Sequence, residues 1–142
     1  TMPLVDIGVA IRENLGTSDY INADKILIEN QISPIANRMK TIQGMLAQFF
    51  IMKGVEDIVF VSAANKLKLF MGKDKTTYNE RKKIGIEITK NILNADKNIS
   101  DVEQISNSNK KDDLADCFLQ GLWYILVNNL AETEYKNLGS ES

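Results

Sequence analysis

Two short aliphatic runs, Ile26-Leu27-Ile28 and Ile58-Val59-Phe60-Val61, are separated by enough chain for one helix and its turns, and this spacing constrains the fold more than any other feature. Unbroken runs of β-branched and aliphatic residues, without polar alternation, predict strands buried on both faces, as in the interior of a parallel sheet. Between them, Ser33-Pro34 predicts a helix start as N-cap and first-turn proline. Ile35, Met39, Ile42, Leu46 and Phe49 then recur at spacings of three or four along one face. Gly54 is placed to end that helix. Strand, long helix and strand together predict a right-handed parallel crossover.

The flanking segments add helices. Val9 to Leu15 reads as a short helix closed by Gly16, followed by a polar turn over Thr17 to Asn22. Ala63 to Thr76 carries Lys66, Lys68, Lys73 and Lys75 and is expected to be a connecting loop. Thr77-x-x-Glu80 is a capping-box pattern, predicting a helix to about Leu93 with Ile84, Ile88 and Ile92 inward. Asn94 to Asn109 is rich in Asn, Ser and Asp and reads as loop. Asn109 then caps a last helix, with Leu114, Cys117, Phe118, Gly121, Leu122 and Ile125 on one side and Asp113, Asp116 and Gln120 on another. The expectation is an α/β domain of two parallel strands and four helices over residues 1–131, with a polar tail at 132–142.

Composition narrows the chemistry. At 142 residues, with 44% hydrophobic and 25% charged side chains, the chain is an ordinary globular sequence. It has no apolar run of about 18 residues and no basic-then-apolar leader pattern, so an intracellular, non-secreted protein with no membrane partner is expected. Cys117 is the single cysteine and there is no histidine, which excludes an internal disulfide, a cysteine zinc site and imidazole acid–base chemistry. A net charge of −2 argues against a nonspecific polyanion binder, although local basic patches can override it.

Three carboxylates stand out. Glu29 closes the first aliphatic run, at the carboxyl end of a parallel strand, where open α/β sheets place ligands. Burying it unpartnered would cost several kcal/mol, which a metal ion would offset. Asp113 and Asp116, three apart on a helix, are separated by about 60° and a rise of about 4.5 Å and share a face. The plainer reading of that pair is two solvated acids near a helix N-terminus, where the macrodipole favours anions. Asp112 reads as a capping partner of Asn109. Trp123 and Tyr124 fall in the apolar part of the last helix and read as core or dimer contacts.

Three motifs then converge on one family: Ile26-Leu27-Ile28-Glu29-Asn30-Gln31, Tyr78-x-x-Arg81-Lys82-Lys83, and Lys111-Asp112-Asp113-Leu114-Ala115-Asp116. In residue type, order and approximate spacing, from Asp6 to about Val127, the chain resembles the poxvirus-type Holliday junction resolvases. These are relatives of the RuvC and fungal mitochondrial resolvases within the RNase H-like superfamily. The resemblance implies a partial RNase H-like, three-layer fold. It also implies a homodimeric endonuclease that cuts four-way or branched DNA with Mg²⁺ or Mn²⁺. Carried over by motif, Glu29, Asp113 and Asp116 would be metal ligands and catalytic residues, and Lys83, with Lys82 as the neighbouring choice, would face the scissile phosphate. Oxygen-only ligands suit such cations, and paired ions about 3.5–4 Å apart would activate a water and stabilise the leaving oxygen.

One departure accompanies the resemblance. The family opens with three antiparallel strands, the first bearing another essential aspartate, whereas only about two dozen residues precede Glu29 here, too few for them. Asp6-Ile7-Gly8 imitates that aspartate's signature but aligns with the helix before the glutamate strand. The expectations are therefore a weak or absent nuclease activity for this chain alone and an unpaired apolar edge on Ile26, Leu27 and Ile28 open to self-association. Two other readings stay open. One is a noncatalytic nucleic-acid-binding module using Arg38, Lys66, Lys68, Arg81, Lys82 and Lys83. The other is an interaction domain presenting the sheet edge and Met39, Met45 and Met52.

Overall fold

The structure, a computed structural model, describes residues 1–32, 34, 36–68, 70 and 75–130. The chain divides into two compact units, Thr1–Ala63 and Ala64–Ser142. The first contains α1 (Leu4–Leu15), a 3₁₀ turn at Asp19–Asn22, β1 (Ile26–Glu29), α2 (Asn37–Met52) and β2 (Ile58–Val61). The strands pair in parallel, with Ile26 opposite Ile58 and Glu29 opposite Val61. The ladder extends one bond past each end: Ile26 N–H donates to the Asp57 carbonyl at 3.0 Å and Asn30 N–H to the Val61 carbonyl at 2.8 Å. Lys25 and Asp57, 2.7 Å apart, close its start. The expected parallel strand–helix–strand unit is therefore present.

Its burial differs from the expectation. Among the described residues the sheet has two strands, and only Ile28 and Val61 are buried, while Phe60 is 47% exposed. A doubly buried strand needs cover on both faces and neighbours on both edges; two strands do not supply that. The face of α2 also turns away from the predicted one. Gln43 and Phe50 are its buried residues; Ile42, Leu46 and Phe49 are half-buried, and Met39 is exposed. Gln43 goes inward because its Oε1 accepts the Gln31 N–H at 2.7 Å, satisfying a backbone donor just beyond β1. Helix α2 begins after Ala36 without a side-chain cap; Ser33 and Ile35 lie outside the described residues. Gly54, at φ +94°, donates to the Ile51 carbonyl and turns the chain out of the helix in a conformation that L side chains rarely adopt. Helix α1 starts at Leu4, earlier than expected, and approaches α2 closely at Gly8, where an added Cβ would lie 3.1 Å from Met45 Cε.

The second unit is helical: α3 (Tyr78–Ala95), α4 (Ile99–Asn107) and α5 (Lys111–Val127), mutually packed. A 3₁₀ turn, Ala63–Asn65, lies where the two units meet in sequence. Both halves of the capping box form: Thr77 N–H donates to Glu80 Oε2 at 2.6 Å, and Glu80 N–H to Thr77 Oγ1 at 3.2 Å. The Thr77 N–H holds the Glu80 carboxyl below the usual carboxylate range. The core gathers Leu67, Phe70, Ile88, Ile92, Leu119 and Leu126, with Ile84 packed against it, so the three α3 isoleucines point inward as expected.

Three expectations fail here. The segment read as loop contains α4, so the described residues hold five α-helices rather than four. Ile105 is buried and Val102 half-buried on α4. That small apolar face, docked on neighbours, outweighs the weak helix propensity of the surrounding Asn, Ser and Asp. The buried face of α5 is Ala115, Leu119, Gln120 and Leu126; Leu114 and Ile125 are exposed. Nor does Asn109 cap α5, whose N-cap is Lys110 with no side-chain bond. No helix among the described residues is long and apolar enough to cross a membrane. The predicted tail at 132–142 lies outside the described residues.

Leu119 has no exposed surface, so Leu119→Ala is expected to cost about 3 kcal/mol in urea denaturation followed by Trp123 fluorescence. Leu114→Ala, on the exposed side of the same helix, is expected to cost about 0.5 kcal/mol.

Candidate functional site

The start of α5 sets three acids along one turn, and helix geometry gives each a different neighbour. Asp112 and Asp116, four residues apart, lie within about 40° of each other around the axis, whereas Asp113 is rotated about 60–100° away. Asp112 Oδ2 lies 2.6 Å from Lys82 Nζ, which also sits 4.8 Å from the centroid of the Tyr78 ring. Asp112 is thus an ion-pair partner tying α5 to α3, not the helix cap predicted for it. Lys82's hydrogen bond holds the Asp112 carboxyl below the usual carboxylate range, and the same bond raises the Lys82 ammonium above its ordinary value. Asp116 Oδ2 accepts from Lys66 Nζ at 2.8 Å. Asp113 faces outward, its side chain 66% exposed, with Lys110 at 3.9 Å.

The other expected site residues are distributed as follows. Glu29 is the last residue of β1 and half-buried in the first unit. Arg38, also in that unit, donates to the Met2 carbonyl, binding the start of the chain to α2. Arg81 and Lys83 are exposed on the first turns of α3, and Lys68 is exposed near the end of the preceding segment. Lys73 lies outside the described residues. Among the described residues, neither unit gathers three or more His, Cys, Asp or Glu side chains into a group that could hold a metal. In the second unit, with Asp112 and Asp116 each engaged by an ammonium, the carboxylates do not by themselves fit a divalent cation.

An open cleft of about 600 Å³ lies alongside, between the first turns of α3, the α4–α5 turn and the first turn of α5. Lys82 and Lys83 line it, as the basic motif suggested, together with Lys111, Asn79, Asn107 and Asn109. Sequence reading missed these last four. Lys111 was visible only as the basic neighbour of the acids, Asn107 as loop composition, Asn109 as a helix cap and Asn79 as a position inside the capping-box pattern.

The family described as Poxvirus A22 protein matches residues 9–129. The chain belongs to that family of poxvirus-type resolvases. The match runs through both units and takes in Glu29, Arg81, Lys82, Lys83, Asp113 and Asp116. An uncharacterized protein of Acanthamoeba polyphaga mimivirus is 30% identical over 74% of this chain, which spans 29% of that protein's length. No solved structure matches the chain.

For this A22-family chain, the Lys82–Asp112 pair predicts a pH signature. Because the Asp112 carboxyl is depressed in the folded protein, its stabilisation is complete above the unfolded value near 4 and disappears as pH falls through the lower folded value. Thermal denaturation should show wild type more stable than Asp112→Asn at pH 7, with the gap closing as pH falls below about 4. A gap that persists unchanged at low pH would contradict the pairing.

Proposed function

We propose that this chain supplies the carboxylates of a resolvase-type nuclease, a metal-dependent endonuclease acting on four-way or branched DNA. The observation that carries this reading is the family match, which spans Glu29, Lys83, Asp113 and Asp116 in order. The parallel β1–α2–β2 unit, with an acid at the carboxyl end of β1, supports a partial RNase H-like fold. By the family motif, Glu29, Asp113 and Asp116 would be the ligands of Mg²⁺ or Mn²⁺, hard cations that prefer carboxylate oxygen. A cation so held would supply an activated water and charge stabilisation at the phosphate. Lys83 is the cation beside the scissile phosphate. The Lys66 ammonium, 2.8 Å from Asp116 Oδ2, orients that carboxylate. A homodimer fits a substrate whose cut strands are related by two-fold symmetry.

A noncatalytic DNA-binding module is the second reading, favoured by the engagement of Asp112 and Asp116 with lysines. The two readings separate on a synthetic four-way junction. The nuclease reading expects binding in preference to a linear duplex of the same sequence, and Mg²⁺-dependent cleavage that falls at least about 100-fold in Glu29→Gln. Cleavage unaffected by Glu29→Gln, or binding with no junction preference, would overturn it. Junction binding with steep salt dependence and no dependence on a divalent cation would favour the second reading instead.

A further inference from the structure

We infer that the cleft between α3 and the α4–α5 turn is a seat for a backbone phosphate of a DNA strand, with Lys111 and Lys83 as its cations and Asn79, Asn107 and Asn109 as hydrogen-bond donors. The inference rests on the DNA-processing reading above and deepens it, adding Lys111 and three asparagines to Lys83 along the path of the strand. Pockets for small metabolites are enclosed and mostly apolar. This cleft is open, and Ile86 is the one aliphatic side chain among its ten lining residues. Its remaining side chains are overwhelmingly ammonium, amide and hydroxyl groups, a donor-rich surface that fits an anion. An open shape suits a chain that passes through it rather than a molecule sealed inside.

The charges in the cleft are not equivalent. Asp112, its one acid, is held at 2.6 Å by Lys82. That pair cancels itself and fixes the wall, so Lys82 is a positioning residue here, not a phosphate contact. Lys83, which helps lower the nearby Glu80 carboxyl, and Lys111 form no ion pair among the described residues. Two ammonium groups without an ion pair among the described residues therefore remain on the cleft, Lys83 from α3 and Lys111 from α5. Ser108 is occupied internally, its Oγ accepting the Lys110 N–H at 2.9 Å, which shapes the turn carrying Asn107 and Asn109. Phosphate contacts of this kind set register and orientation without reading sequence.

The test is fluorescence anisotropy of the full chain on a labelled four-way junction, without divalent metal, across about 50–200 mM salt. Lys111→Gln and Asn109→Asp are compared with Lys97→Gln, which removes an exposed lysine from the turn that follows the far end of α3. Both cleft variants are expected to weaken binding about fivefold or more relative to Lys97→Gln, and Lys111→Gln to flatten the log–log salt slope by about one. If wild type binds and either cleft variant matches Lys97→Gln, the cleft is overturned while the DNA reading stands. If wild type itself does not bind the junction, the DNA reading falls, and the cleft with it.

Discussion

The ion pair between Lys82 and Asp112 is the contact on which the second unit's chemistry depends. It joins the first turn of α3 to the first turn of α5 at 2.6 Å, next to the capping box that starts α3. Ion pairs at exposed positions contribute little to stability. Here the consequence is geometric: burial of Ala115, Leu119 and Leu126 sets the rotation of α5, and that rotation brings Asp112 to Lys82 on α3. Asp116 then falls beside Lys66 and Asp113 toward solvent. Three acids that look alike in sequence are sorted by about 100° per residue of helical rotation into an inter-helix tie, a lysine-held carboxylate and an exposed one.

The first unit is organised by a different constraint, the need to satisfy backbone beyond a short strand. β1 has four residues, and the chain leaving it is fixed by Asn30 N–H on the Val61 carbonyl and Gln31 N–H on the Gln43 side chain. These bonds hold the segment immediately after Glu29 against both β2 and α2. Glu29 therefore stands on a backbone anchored on either side, the kind of support a functional carboxylate requires.

Much of this was legible in the sequence because the signals were local. Two β-branched runs around a helix-length spacer specified the parallel pair, and Thr77-x-x-Glu80 specified the start of α3. Ile84, Ile88 and Ile92 specified its inner face. What stayed hidden depends on partners distant in sequence. The apolar side of α4 is a few residues in a polar segment and is stabilised by docking. On α5, apolar residues occur almost all round, so periodicity could not choose between the Leu114 side and the Leu119 side; packing against α3 chose. Gln43 reads as surface and is interior because a backbone donor needs it. The acids were found as candidates, but their lysine partners lie 30 and 50 residues away in sequence and no spacing rule points to them.

The central claim is that these acids divide between structure and catalysis, and one comparison bears on it directly. Junction cleavage in Mg²⁺ would be measured for Asp112→Asn, Asp113→Asn and Asp116→Asn at a temperature where all three are folded. The account predicts that Asp113→Asn and Asp116→Asn lose cleavage by about 100-fold or more while Asp112→Asn keeps it within about tenfold. Loss in Asp112→Asn as complete as in Asp113→Asn, or full cleavage by Asp113→Asn, would contradict it.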